Sequence, residues 1–113
     1  MYEYKAKVHR IIDGDTVDVT IDLGFDMTTK QRVRLYGIDT PETRTRDLKE
    51  KVRGKAAKAR LFELLNGCGR EIVLRTLKRG KYGRILGKLI HPETKENFNQ
   101  TLLKEGHAKR MIF

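Results

Sequence analysis

The sequence has few residues that could cross-link the chain or place it in a membrane. It contains one cysteine, Cys68, two prolines and no tryptophan in 113 residues, so no disulfide can form within it. It has no run of 18 or more apolar residues, the length that a transmembrane helix requires. The first five residues, Met1 to Lys5, lack the apolar stretch of a signal peptide. We therefore expect a cytoplasmic location unless a leader has been removed, and no membrane association.

Acidic residues are outnumbered by basic ones. The chain carries 25 Lys and Arg against 15 Asp and Glu, a net charge of +10. The excess is concentrated at 44–60, at 78–84 and around 104–110. Such a surface attracts polyanions, although a solvated basic surface with no partner is the alternative. The length and the apolar content of 38% predict one domain over residues 1–113.

Hydrophobic alternation predicts a β-rich fold. Residues 16–23 alternate strictly, with Val17, Val19, Ile21 and Leu23 on one face, which is the pattern of a half-buried strand. Less regular alternation predicts four further strands, at 2–12, 32–38, 71–77 and 84–90. Residues 24–30 are interpreted as the loop between the second and third strands.

Two helices complete the predicted fold. An apolar stripe at Ala57, Leu61, Leu64 and Leu65 predicts a helix over 54–66, and a short helix is expected at 100–105 with Asn99 as its N-cap. Residues 41–53 are polar and aperiodic, and predict a mobile loop. The element order predicts a mainly β (α+β) fold, a five-stranded OB-type Greek-key barrel. One helix lies between strands 3 and 4 and a short helix follows at the C-terminus; a generic α+β sheet is the alternative.

Four acidic residues lie where the predicted strands begin or end. Asp13 and Asp15 flank the turn into the second strand, and Asp39 and Glu42 follow the third. Neighbouring strand ends could bring Asp15 and Asp39 to one hard divalent cation, since such cations take oxygen ligands. Taken singly, the segments Asp13-Gly14 and Asp39-Thr40-Pro41 are equally typical of turns. Only their combination indicates a site.

Two arginines supply the complementary chemistry. Arg34 lies in the third predicted strand and Arg84 begins the fifth, and guanidinium groups bind phosphate in a bidentate manner. A lone arginine on a strand is more often a surface residue, so both matter only if the fold brings them to the acids. His9, His91 and His107 share no metal-ligand spacing. The combined set indicates a metal-assisted hydrolase of phosphodiesters.

The motifs together resemble the staphylococcal (micrococcal) nuclease family, whose domains are called thermonuclease-like. The matching stretches are 12–17, 34–43 and 81–84, followed by a run from Asn99 to Lys109 that contains Leu102, Leu103 and Gly106. They occur in the order of the family and cover nearly the whole chain. The fold of that family, a five-stranded OB barrel with helices, agrees with the element order predicted above.

The resemblance implies roles for the acidic segments. Asp15 and Asp39 match the two carboxylates that bind one Ca²⁺, and Thr40 matches the residue whose backbone carbonyl is a further ligand. Asp13 matches a nearby carboxylate outside the ligand set. Glu42 matches the glutamate that acts as general base or orients the attacking water.

The resemblance also implies how the substrate is held. Arg34 and Arg84 match the arginines that contact the scissile phosphate, and Lys81 and Tyr82 match positions that contact a terminal phosphate. In the tail, tyrosines of the secreted relatives are replaced, and only Phe113 could stack on a base.

The implied activity is that of a Ca²⁺-dependent endonuclease. It would hydrolyse DNA and RNA as a monomer and give 3′-phosphate products. The alternative is a non-catalytic nuclease-like module that binds nucleic acid or protein. Members of the family are often secreted, which leaves the compartment open.

Overall fold

The computed structural model describes residues 2–79 and 83–111. Within this part, residues 78 and 79 are described by their backbone alone. Its strands and helices, in chain order, are β1 (Tyr2–Asp13), β2 (Thr16–Gly24), β3 (Met27–Leu35), β4 (Ile38–Asp39), α1 (Leu48–Asn66), β5 (Glu71–Arg79), β6 (Ile85–Ile90), α2 (Phe98–Lys104) and β7 (Lys109–Arg110).

Five strands form a closed barrel in the order β1-β2-β3-β6-β5. Neighbours are antiparallel except β3 and β6, which pair in parallel and close the barrel. The alternating residues of β2 behave as predicted, because Val17, Val19 and Ile21 are buried. Leu23, at the protruding end of the hairpin, is 44% exposed. The predicted OB-type barrel, with a helix between its third and fourth strands, is confirmed.

The third strand differs from its predicted bounds at both ends. It begins at Met27, because a tight turn with positive φ at Gly24, Phe25 and Asp26 replaces the expected loop. Both faces of this hairpin end are largely polar or solvent-exposed, so alternation does not mark it. The chain leaves β3 after Leu35, and Ile38–Asp39 pairs instead with Lys109–Arg110 as β4 and β7.

Helix α1 begins six residues before its predicted start, so the prediction of a mobile loop was wrong for 48–53. Asp47 is the N-cap, and its side chain accepts hydrogen bonds from the backbone N–H groups of Lys49 and Glu50. The first turns extend beyond the barrel and leave Leu48 and Val52 exposed, so an apolar stripe does not mark them. The stripe itself is confirmed, since Ala57, Leu61 and Leu65 are buried and Leu64 is partly buried. The helix ends at Asn66, as predicted, with Gly67 as its C-cap.

Asn99 lies inside α2 instead of capping it. The helix begins at Phe98 with Asn97 as its N-cap. The buried Asn99 amide donates to the carbonyls of Tyr36 (2.9 Å) and Gly87 (3.1 Å) and accepts from the N–H of Leu89 (3.2 Å). It thereby joins α2 to the end of β3 and to β6. Asparagine is typical of an N-cap, and the same residue type can also serve as a buried amide. The sequence alone does not separate these two roles, which explains the error.

Replacement of Asn99 by alanine is expected to lower the free energy of unfolding by about 2–4 kcal/mol, because buried backbone groups would lose their partners. Urea unfolding measures this. Asn97→Ala is the control and should cost about 1 kcal/mol, as loss of an N-cap does. Equal effects of the two changes would contradict the proposed role of Asn99.

Neither helix in the described part of the chain is both long and apolar enough to span a lipid bilayer.

Candidate active site

Three side chains meet at one end of the barrel. Asp15 precedes β2, Asp39 ends β4, and Arg34 lies on β3 with its Cα paired to Thr16. Nη1 of Arg34 is 3.1 Å from Oδ2 of Asp15, and Nη2 is 3.2 Å from Oδ1 of Asp39. One guanidinium therefore bridges the two carboxylates, and the sequence-predicted proximity of these residues is found in the structure.

Burial of this cluster makes its hydrogen bonds important. Asp15 is 6% exposed and Arg34 9%, whereas the side chain of Asp39 is 53% exposed. Oδ2 of Asp15 also accepts from the N–H of Thr40 at 3.0 Å, and Nη1 of Arg34 donates to the carbonyl of Ile38 at 3.0 Å. Buried charges are tolerated only when paired and hydrogen-bonded, and this pair satisfies that condition.

Asp13 holds the segment that carries Glu42. Its Oδ1 accepts from the hydroxyl of Thr43 at 2.6 Å and from the N–H of Thr43 at 3.3 Å. Asp13 is thus engaged with the loop, one turn residue away from Asp15. Thr43 was missed by sequence reasoning, although a Thr beside Pro41-Glu42 is a residue type that forms such loop bonds.

Glu42 itself is exposed on the outside of this loop. The loop backbone lies against α1 so closely that a Cβ on Gly54 would be 2.5 Å from the carbonyl oxygen of Glu42 and 2.8 Å from that of Pro41. Gly54 was taken from the sequence only as the start of the helix. A glycine inside a helix costs about 1 kcal/mol relative to alanine, so its presence was a signal of close backbone approach.

Gly54→Ala is expected to displace the Glu42 loop and to lower stability by more than about 1 kcal/mol, since the clash is with backbone atoms. Gly67→Ala is the control, because a Cβ there would lie at least 3.4 Å from its neighbours. Thermal unfolding and the chemical shift of the Glu42 amide would report the two effects. An unchanged Glu42 amide in Gly54→Ala would contradict this packing role.

Arg84 lines an open groove on the side of the barrel where Asp13 lies. Asp13, Thr16, Arg32 and Arg84 line this groove together, which we call the site groove. Arg84 is half-buried. The fold thus brings Arg84 into one groove with Asp13, whereas Asp15, Arg34, Asp39 and Glu42 are not among the described residues that line it. Lys81, Tyr82 and Phe113 lie outside the described residues.

The oxygen donors fit a hard cation. Asp15 and Asp39 offer carboxylates, and Thr40 lies beside them, bonded through its N–H to Asp15. The hydroxyl oxygen of Thr40 is buried and has no partner among the residues described, which leaves a further polar atom beside Asp15. In that part of the chain no three His, Cys, Asp or Glu side chains cluster as a ligand set. A cation here would therefore rely on two carboxylates, backbone carbonyl and water, a set that suits Ca²⁺.

Two of the histidines without metal-ligand spacing, His9 and His91, make structural hydrogen bonds. His9 hydrogen-bonds to the hydroxyl of Thr20, and Nδ1 of His91 accepts from two backbone N–H groups of its own turn.

Burial raises the pKa of the Cys68 thiol, which disfavours the thiolate that a nucleophile needs. The pKa of Asp18, in the site groove, is lowered by its hydrogen bond to Arg32.

The sequence is similar to those of several known proteins. A family model described as "Staphylococcal nuclease homologue" matches residues 32–113. The chain is 36% identical over 106 residues to a "Thermonuclease" of Staphylococcus intermedius, covering 94% of this chain and 59% of the relative. It is 31% identical over 103 residues to an "Uncharacterized endonuclease" of Escherichia coli, covering 91% of this chain and 58% of that protein. A "Micrococcal nuclease" of Shigella flexneri is 31% identical over 113 residues, with coverages of 94% and 58%. The chain spans about three fifths of the length of these relatives and belongs to the family of staphylococcal nuclease homologues.

Proposed function

We propose that this chain is a Ca²⁺-dependent endonuclease that hydrolyses phosphodiester bonds in DNA and RNA and gives 3′-phosphate products. The observation that carries the proposal is the bridge of Arg34 between Asp15 and Asp39 at the barrel end. A basic chain whose relatives bear the names of nucleases supports it. A binding module would not need this arrangement of two acids and an arginine beside a loop that holds Glu42.

The carboxylates of Asp15 and Asp39 and the backbone carbonyl of Thr40 would hold the Ca²⁺. When bound, the cation supplies Lewis-acid stabilisation of charge on a phosphoryl oxygen. Asp13 would keep Glu42 at the mouth of the site through its two hydrogen bonds to Thr43.

Arg34 and Arg84 are proposed to bind the non-bridging oxygens of the scissile phosphate from two sides. The guanidinium of Arg34 is held in place by Asp15, Asp39 and the carbonyl of Ile38, and such preorganisation stabilises charge that develops in the transition state. Glu42 would accept or direct a proton of the attacking water. The water oxygen bonds to phosphorus as the bond to the 5′ oxygen breaks, which leaves a 3′-phosphate and a 5′-hydroxyl.

Substrate selection would be by charge. The basic clusters at 44–60 and 104–110 would contact backbone phosphates, which carry no sequence information. Lys81 and Tyr82 are proposed to contact a terminal phosphate. We therefore expect binding that weakens steeply with salt and depends little on base sequence.

Removal of divalent cations is expected to abolish cleavage. Excess EGTA and EDTA should stop the release of acid-soluble fragments from single-stranded DNA, and added Ca²⁺ should restore it more effectively than Mg²⁺, because the donor set is not an octahedral cage. Binding of the same DNA, followed by fluorescence anisotropy, is the control that shows intact protein. Full cleavage in both chelators would contradict the proposal.

A further inference from the structure

A second groove lies between β1 and the outer face of α1. Six of its residues define what we call the helix groove: His9, Arg10, Lys55, Lys58, Phe62 and Arg70. The helical members are spaced by three and four residues, so they share one face of α1. Partly buried Ile11 forms part of its wall. The arrangement is a basic channel on the outer surface of the barrel.

The helix groove has an unbalanced charge. No Asp or Glu of the described chain lines it, and in that part of the chain Arg10, Lys55, Lys58 and Arg70 form no ion pair. Arg60 and Arg75, on other surfaces, are paired with Glu105 and Glu3. Unpaired cations side by side repel one another at moderate ionic strength, so an anionic occupant would relieve this repulsion.

An aromatic ring lies among these cations. Phe62 is 44% exposed, and the guanidinium of Arg70 lies 5.3 Å from its ring centroid. Arg70 has φ +64°, in a region that non-glycine residues rarely adopt, and its Nη1 donates to the carbonyl of His9 at 3.5 Å. An exposed ring and an adjacent planar cation are the features on which unpaired bases stack.

The helix groove adjoins the site groove. His9 and Arg10 line both, and the site groove also contains Asp13 and Arg84. A strand that lies in the site groove beside Asp13 and Arg84 can therefore continue past Arg10 into the helix groove. The two grooves form one path along the outside of β1.

We propose that the helix groove binds the flanking part of a single-stranded nucleic acid, with Lys55, Lys58, Arg10 and Arg70 on its phosphates and Phe62 stacked on a base. This rests on the proposed function, and it names the substrate form that the chain holds best. A duplex is disfavoured because its bases are already stacked on one another. An acidic protein segment would use the cations but would not need the ring.

The structure supplies a matched control. A groove at the β2–β3 hairpin, the hairpin groove, is lined by Lys5, Lys95 and Phe25, but also by Asp22, Asp26 and Glu71. Two triple variants remove the same charge and the same kind of ring. The helix-groove variant is Lys55→Gln/Lys58→Gln/Phe62→Ala. The hairpin-groove variant is Lys5→Gln/Lys95→Gln/Phe25→Ala. They differ only in which groove they change.

Binding is measured in EDTA, so that the result does not depend on cleavage. Anisotropy of a labelled oligothymidylate of about 20 nucleotides, longer than the site of one OB fold, should show at least about a tenfold loss for the helix-groove variant. The slope of log K against log salt should fall in magnitude by about 1.4, or 0.7 for each lost phosphate contact. The hairpin-groove variant should lose less than about threefold, a loss from net charge alone.

Each alternative has its own result. Equal losses for the two triple variants would overturn the proposal in favour of a diffuse charge effect. If a duplex or polyglutamate binds more tightly than the oligonucleotide, and Phe62→Ala alone does not change the binding, the groove holds another occupant. Failure of the proposed function is seen separately, as absence of cleavage with Ca²⁺ by a protein that still binds the oligonucleotide through this groove.

Discussion

Replacement of Glu42 by glutamine is expected to lower kcat by about 10²–10⁴-fold, the contribution typical of a positioned general base. Glutamine keeps the size of the side chain but cannot accept a proton. Glu42 is exposed, and the hydrogen bonds that hold its loop come from Asp13 and Thr43, not from its own side chain. The change should therefore leave folding and nucleic-acid binding intact.

The measurement is kcat with saturating single-stranded DNA and Ca²⁺, with anisotropy in EDTA for binding and thermal unfolding for stability. Glu93→Gln is a matched control, because Glu93 is a likewise exposed acid, in the turn after β6, to which we assign no catalytic role. A Glu42→Gln enzyme as active as the unchanged protein would exclude Glu42 as the base. A loss of only about tenfold would favour an orienting role. If the unchanged protein is itself inert with Ca²⁺, the chain is a binding module.

The barrel could be predicted from the sequence because its strands are half-buried. Each barrel strand has one face in the core, and alternation at residues such as Val17, Val19 and Ile21 reports that face directly. The errors lie where elements leave the core. The start of α1 at Leu48 and the start of β3 at Met27 are both exposed, so no apolar pattern marks them, and only the cap at Asp47 gave a local signal.

The candidate site could be predicted as a set of residues but not as a geometry. Strand-end positions indicated that Asp15 and Asp39 could meet, and left open whether Arg34 would join them. Nothing in their spacing predicted that a single guanidinium lies between both carboxylates, because that depends on the chain turning back after Leu35 to form β4. The exposed position of Glu42 depends likewise on the approach of its loop to Gly54.

The β1–α1 packing that shapes the helix groove is also a tertiary feature. The sequence identified 44–60 as basic, and it placed Lys55 and Lys58 off the apolar stripe of the helix. It could not show that His9, Arg10 and Arg70, which are distant in the chain, complete the same groove.

Replacement of Arg34 by methionine is expected to affect stability and turnover together. Methionine roughly keeps the length of the side chain and removes its charge. The buried carboxylate of Asp15 would then keep only the N–H of Thr40 and the hydroxyl of Thr16 as partners. Breaking a buried ion pair from one side typically costs about 3–5 kcal/mol, and loss of a preorganised donor to the phosphate should lower kcat by about 10²–10³-fold.

A double variant separates the two effects. In Arg34→Met/Asp15→Asn the uncompensated charge is gone, so urea unfolding in EDTA should show recovery of at least about 1 kcal/mol relative to Arg34→Met. Cleavage should not recover, because the double variant lacks both the guanidinium and a carboxylate proposed to hold Ca²⁺. Arg32 lies two residues before Arg34 on β3 and is paired with Asp18 at the surface. Arg32→Met should lower the free energy of unfolding by no more than about 1 kcal/mol. If Arg34→Met were as stable as the unchanged protein, the buried bridge would not hold the barrel end together. If Arg34→Met kept its turnover, Arg34 would not act on the phosphate.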